Sequence, residues 1–126
     1  MASKSKINSQ INTIQQLIEE AISLDAMMCG SFSKAYRRCG KPNCKCSSAG
    51  EKGHPFFRIS YFEKGKQRTM TIKEKDKRRM ENLVENYRKF KDYKRKIKVE
   101  CENLIARMND FQNSMVDKMK KEIKSL

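Results

Sequence analysis

Between Cys39 and His54 the chain gathers three of its five cysteines and its single histidine into sixteen residues. Thiolate sulfur and imidazole nitrogen suit a borderline-soft cation, and Cys39, Cys44, Cys46 and His54 make a Cys₃His set of the kind that holds Zn²⁺ as a closed tetrahedron. Four residues separate the first pair, one the second and seven the third, which is not the common paired Cys-x₂-Cys arrangement. Gly40, Pro42, Gly50 and Gly53 supply the tight and positive-φ turns that bring such ligands to one point. Cys44 and Cys46 can both reach one ion only from an extended or turning backbone. Free thiols in a reducing compartment and a disulfide in a secreted chain are the alternatives. An iron–sulfur cluster is a third, but such clusters usually take four thiolates, and the candidate fourth, Cys29, lies ten residues before Cys39. We expect a zinc knuckle, with Zn²⁺ as the only cofactor.

Other chemistry is poorly provided for. There is no paired-carboxylate or Ser/His/Asp constellation, no phosphate-cradling glycine loop, and the sole histidine is better used on the metal. A catalytic zinc needs an open coordination position and a nearby base. We therefore expect no enzyme activity.

The composition points to an anionic partner. Of 126 residues, 29 are Lys or Arg against 15 Asp or Glu, a net charge of +14. The excess is uneven. Residues 1 to 33 carry two basic and three acidic side chains, whereas residues 34 to 72 carry ten and two. No stretch has a secretory h-region or eighteen consecutive apolar residues, so neither export nor membrane insertion is expected. An odd cysteine count argues against a disulfide scaffold, and a cytoplasmic, reduced setting follows.

The elements that must position the knuckle can be read in order. Ile7, Ile11, Ile14, Ile18, Ala21 and Met28 recur at three, four and seven, the stripe of an amphipathic helix, with Gly30 as its natural stop. Ser31 or Ser33 then caps a short turn into the metal loop. From Phe56 the period becomes two: Phe57, Ile59 and Tyr61 share one face, and Phe56, Arg58, Ser60 and Phe62 the other. A turn at Glu63-Lys64-Gly65-Lys66 and a return strand from Gln67 to Ile72 complete a β-hairpin. From about Lys75 there is no Gly or Pro. Met80, Leu83, Tyr87, Phe90, Lys94, Ile97, Cys101, Leu104, Met108, Phe111 and Met115 alternate three and four apart, a heptad seam. Past Met115 the seam slips to Met119, Ile123 and Leu126. About fifty residues make a helix of roughly 75 Å, and an N-terminal helix of roughly 33 Å covers less than half of it. The expected class is α+β, mostly α: an N-terminal amphipathic helix (1–29), a zinc-knuckle loop and β-hairpin module (30–73), and a long basic coiled-coil helix (74–126).

Gly30-Ser31-Phe32, Tyr36-Arg37-Arg38-Cys39-Gly40-Lys41, Asn43-Cys44-Lys45-Cys46, His54-Pro55-Phe56-Phe57, Ser60-Tyr61 and Gly65-Lys66 together resemble a family of small basic proteins of unknown function. Its members are found in bacteria, archaea and mobile elements, often near transposase or recombinase genes. The resemblance spans roughly residues 28 to 92, and its core is Cys-Gly-Lys-x-x-Cys-x-Cys followed by His. It implies a zinc-loop-plus-hairpin module and carries no established activity.

Cations interleaved with the ligands suit phosphate contacts: Arg37, Arg38, Lys41 and Lys45 in the loop, and Arg58, Lys64, Lys66 and Arg68 on the hairpin. Arg88, Lys89, Lys91, Lys94, Arg95, Lys96 and Lys98 form a basic band on the long helix. We expect a non-enzymatic zinc-containing nucleic-acid-binding accessory protein, DNA slightly favoured over RNA, of a mobile element or a recombination or ribonucleoprotein system. We also expect a homodimer through the C-terminal helix. The rival reading is a coiled-coil adaptor that docks on a larger recombinase, transposase or nuclease.

Overall fold

The computed structural model describes residues 4–126, and its element order is helix, strand, metal loop, two strands, long helix. The first helix, α1, spans Lys4–Ile22. The seven-residue repeat of Ile7, Ile14 and Ala21 forms the covered stripe, and Gln10 is buried among them. Gln10 Nε2 donates to the Glu100 carboxylate and, at 3.4 Å, to the Glu100 carbonyl, so the buried amide is satisfied. Ile11 and Ile18, expected on the same stripe, are exposed, Ile18 by 42%.

The helix stops eight residues before Gly30. Ser23 takes over its last turn, its amide donating to the Glu19 carbonyl and its hydroxyl to the Glu20 carbonyl at 2.6 Å, which satisfies carbonyls that a helix end leaves open. Gly30 serves another purpose. It sits at φ +110°, and a Cβ there would lie 2.4 Å from the Ser60 carbonyl oxygen, so only glycine permits this approach of the chain to the central strand.

Residues Ser31–Arg37 form strand β1 rather than a capped turn. The local signal is weak, but alternation of Phe32, Lys34 and Tyr36 with serine, alanine and arginine fits a pleated edge. Strand β1 pairs antiparallel with β2 (His54–Glu63), which pairs antiparallel with β3 (Lys66–Ile72), giving the order β1-β2-β3. The expected hairpin thus gains a third strand, and three strands with one covered face are stable where two are marginal. The β2–β3 turn places both Lys64 (φ +52°) and Gly65 (φ +78°) in the left-handed region, the requirement of the tight hairpin turn whose twist matches the strands.

The register puts Ile59 opposite Phe32 on one side and Met70 on the other, and Phe57 opposite Ile72. Ile59 is fully buried, and the rings of Phe32 and Phe57 stack at 5.6 Å. The second helix, α2 (Lys77–Lys124), begins on this side, with Lys77 Nζ 4.5 Å from the centre of the Phe57 ring. Met28 N–H donates to the Leu83 carbonyl and Asn86 Nδ2 to the Ala26 carbonyl. Helix α2 runs unbroken through the slip after Met115. The chain divides into two compact units, residues up to Asp25 with Lys89–Leu126, and Ala26–Arg88. Among the described residues no helix is long and apolar enough to cross a membrane.

Candidate metal centre and its basic surroundings

The last register pair of β1 and β2 is Arg37 with His54, so residues 38–53 are one long hairpin loop tied at its base. Closing such a loop costs entropy, and few apolar side chains are present to offset it; Cys46 alone is buried there. What it has instead is a set of turns. Cys44 N–H donates to the Lys41 carbonyl, Ser47 N–H to the Cys44 carbonyl and Ser48 N–H to the Lys45 carbonyl. The Ser47 hydroxyl donates to the carbonyls of Pro42 (3.0 Å) and Cys44 (2.7 Å). Cys44 is extended (φ −87°, ψ 145°) and Cys46 lies in the single 3₁₀ turn Lys45–Ser47. That change of backbone direction is how two thiols one residue apart come to face the same point.

Gly53 closes the base at φ +97°, where a Cβ would be 2.6 Å from the Arg37 carbonyl carbon and oxygen. It also swings His54 round to the loop. The Cys39, Cys44 and Cys46 sulfurs and a His54 ring nitrogen all lie within 4.8 Å of one another. Cys39 Sγ is 3.4 Å from Cys46 Sγ, and Cys44 Sγ is 3.0 Å from His54 Nε2. In a zinc tetrahedron with Zn–S near 2.3 Å, two sulfurs stand about 3.8 Å apart. The four donors are close enough to hold a metal ion, and small side-chain shifts suffice.

The electrostatics favour a thiolate at the mouth. The Lys41 backbone amide, helped by the Cys46 thiol, holds the Cys39 thiol below its ordinary range. For Cys46 the strongest influence, the Cys39 amide, also favours the thiolate, but burial and the neighbouring Cys39 and Cys44 thiols outweigh it and push Cys46 up. A cation among the sulfurs reverses that penalty, because it favours every thiolate around it.

Around this centre the basic residues separate into groups. Lys41 and Lys45 are exposed on the loop. Arg37 lies over the Phe56 ring at 4.6 Å, and Arg38 Nη2 donates to the Glu51 carbonyl at 3.3 Å, so both guanidinium groups are held in place. On the hairpin, Arg58 pairs with Thr71 in the register and Arg68 with Tyr61. Their parity differs, and they point to opposite sides of the sheet, while Lys64 and Lys66 stand at the tip. Arg88 pairs with Glu85 at 2.7 Å in the unit of the sheet. Lys89, Lys91, Lys94, Arg95, Lys96 and Lys98 are exposed along α2 in the other unit, Arg95 pairing with Asp92 and Lys96 Nζ lying 5.7 Å from the Tyr93 ring. Cys29 and Cys101 are half-buried and outside the cluster.

Fold and site define a small α+β chain with a Cys₃His group able to hold a metal. It belongs to the family described as a domain of unknown function (DUF6788), whose profile matches residues 5–82, more than half of the chain, including the whole cluster. No curated protein and no solved structure matches it.

Proposed function

We propose that this chain is a non-enzymatic, zinc-containing nucleic-acid-binding accessory protein, with DNA slightly favoured over RNA, working in a mobile element or in a recombination or ribonucleoprotein system. The observation that carries the reading is the placement of Arg37, Arg38, Lys41 and Lys45 within and beside the Cys₃His loop. Zinc fits the donor set best, since three thiolates and an imidazole close a tetrahedron without an open position. A metal-braced loop holds its cations at fixed spacings, so that binding phosphates costs little ordering entropy. Titration of binding with salt tests this: random-sequence DNA and RNA should show log K falling with log[salt] at about 0.9 per duplex phosphate contacted. Micromolar binding that is absent at about 50 mM salt would leave the adaptor reading.

A homodimer belongs to the same proposal, and one observation favours it. The groove on one side of α1 and α2 is lined by Ile7, Ile105, Met108 and Phe111 together with Lys4, Asn8, Asn109 and Gln112, whereas the other is lined by Ser5, Lys6, Ser9, Gln10, Thr13, Glu100 and Arg107 and has no apolar side chain. The apolar side continues along α2 through Met115 and the exposed Met119 (54%) and Ile123 (58%). An apolar stripe of that length is seldom left bare in a monomer, and a second copy presents the same stripe with the same polar rim. In solution the mass should be twice 14.8 kDa. A stable, fully helical monomer at micromolar concentration would overturn the dimer and favour a helix of another protein as the cover.

A further inference from the structure

The two sides of the sheet differ in kind. One carries Phe32, Phe57, Ile59, Tyr61, Met70 and Ile72 and forms the core. The other, by register and parity, carries Ser31, Ser33, Ala35 and Arg37 from β1, His54, Phe56, Arg58, Ser60 and Phe62 from β2, and Gln67, Thr69 and Thr71 from β3. Among the described residues no carboxylate falls on this open side, and Ala35 is its only aliphatic residue. Phe62 is 75% exposed, and the residues around it on this face, Ser60, Gln67 and Thr69, are polar.

We propose that this open side is a stacking platform for single-stranded nucleic acid, with Phe56 and Phe62 as the stacking rings. The proposal rests on the nucleic-acid reading above and specifies the strand state and the surface. Phe56 and Phe62 share the central strand, six residues and about 20 Å apart. Arg37 already lies on the Phe56 ring at 4.6 Å, and a guanidinium there meets both a phosphate and a base plane. Between the rings stand Arg58, whose Nε donates to the Ser33 hydroxyl at 3.4 Å, and the row Ser31-Ser60-Thr69, hydroxyls that donate to or accept from base edges. Cationic groups continue beyond both ends, at the metal loop and at Lys64 and Lys66. A duplex hides its base faces, so neither the bare Phe62 ring nor the half-buried Phe56 under Arg37 gains anything from it. A protein or lipid partner would call for aliphatic side chains around the rings, and these are missing.

The chain has no tryptophan, so Phe62→Trp makes a single fluorescent reporter in the full-length, metal-loaded protein. Titrated with oligothymidylate or oligouridylate of about 16 nucleotides, it should bind as tightly as the wild type, with its emission quenched by base stacking. Phe62→Ala should lose about five- to a hundred-fold in single-strand affinity at unchanged salt slope, and nothing on a duplex. Because Phe62 is so exposed, the alanine variant should melt with the wild type. An unchanged affinity in Phe62→Ala, an equal loss on duplex, or an unquenched tryptophan in a bound complex would overturn the platform while leaving duplex binding by the loop cations intact. Absence of binding to either strand state in the wild type would overturn both readings.

Discussion

Cys44→Ser is expected to release the metal and unfold the segment between Tyr36 and His54, while the far-ultraviolet signal of α1 and α2 persists. Residues 38–53 contribute one buried side chain, Cys46, and a few local turns, so almost nothing but the metal opposes the entropy of the loop. Structural zinc supplies about 10–16 kcal/mol in small peptides at neutral pH. Losing one of four ligands removes much of that from a segment with no other reserve. Metal content per chain and amide exchange across residues 38–53 are the measurements. Retained metal with unchanged protection would remove zinc from the account. Cys29→Ala and Cys101→Ala should keep the metal, because neither thiol belongs to the cluster and a small apolar side chain fills either place. Acidification should mimic Cys44→Ser, since protonated thiols and imidazolium do not ligate.

Replacing Arg37, Arg38, Lys41 and Lys45 together by glutamine is expected to lower the salt slope by about 3.6 on duplex DNA and about 2.8 on single strands, if each meets one phosphate. Extrapolated from 1 M salt, where such contacts contribute little, a slope change of that size means roughly a thousandfold weaker binding at 0.1 M. The loss should be uniform across sequences, because phosphates carry no sequence. Arg37 and Arg38 also brace the loop through Phe56 and the Glu51 carbonyl, so Lys41→Gln with Lys45→Gln serves as the milder variant, expected to halve the effect and retain the metal. An unaltered slope in the four-residue variant would move the contacts to the hairpin tip or the basic band of α2.

Much of the site was legible because it is local. Four donor side chains within sixteen residues, with glycines at turning points, leave few ways to arrange them, and Gly40, Gly50 and Gly53 do adopt positive φ. Period-two alternation likewise separated Phe57, Ile59 and Tyr61 from Phe56, Arg58, Ser60 and Phe62 before any strand was paired. Residues 31–37 were not legible. Their alternation is short and weakly apolar, and what makes them a strand is the row of amides and carbonyls on β2. Pairing of that kind lies between residues some twenty-odd positions apart, as Ser33 with Arg58, and leaves no periodic mark. The same pairing decides that Arg58 and Arg68 face opposite ways, and that Phe62 lies bare beside hydroxyls.

By itself the sequence determined the Cys₃His group, the period of β2 and β3 and the long helix, since these depend on side-chain chemistry and spacing along one stretch of chain. The tertiary structure decided which apolar stripe of α1 is covered, what Gly30 is for and which side of the sheet stays open. Ser23 ends α1 and leaves Gly30 for the sheet, where its missing Cβ admits the Ser60 carbonyl. Gln10 goes inside because Glu100 is there to receive its amide, while Ile11 and Ile18 stay out. A helix with apolar residues over more than one stripe can bury only the one its neighbour touches, and that choice is made by packing between distant segments.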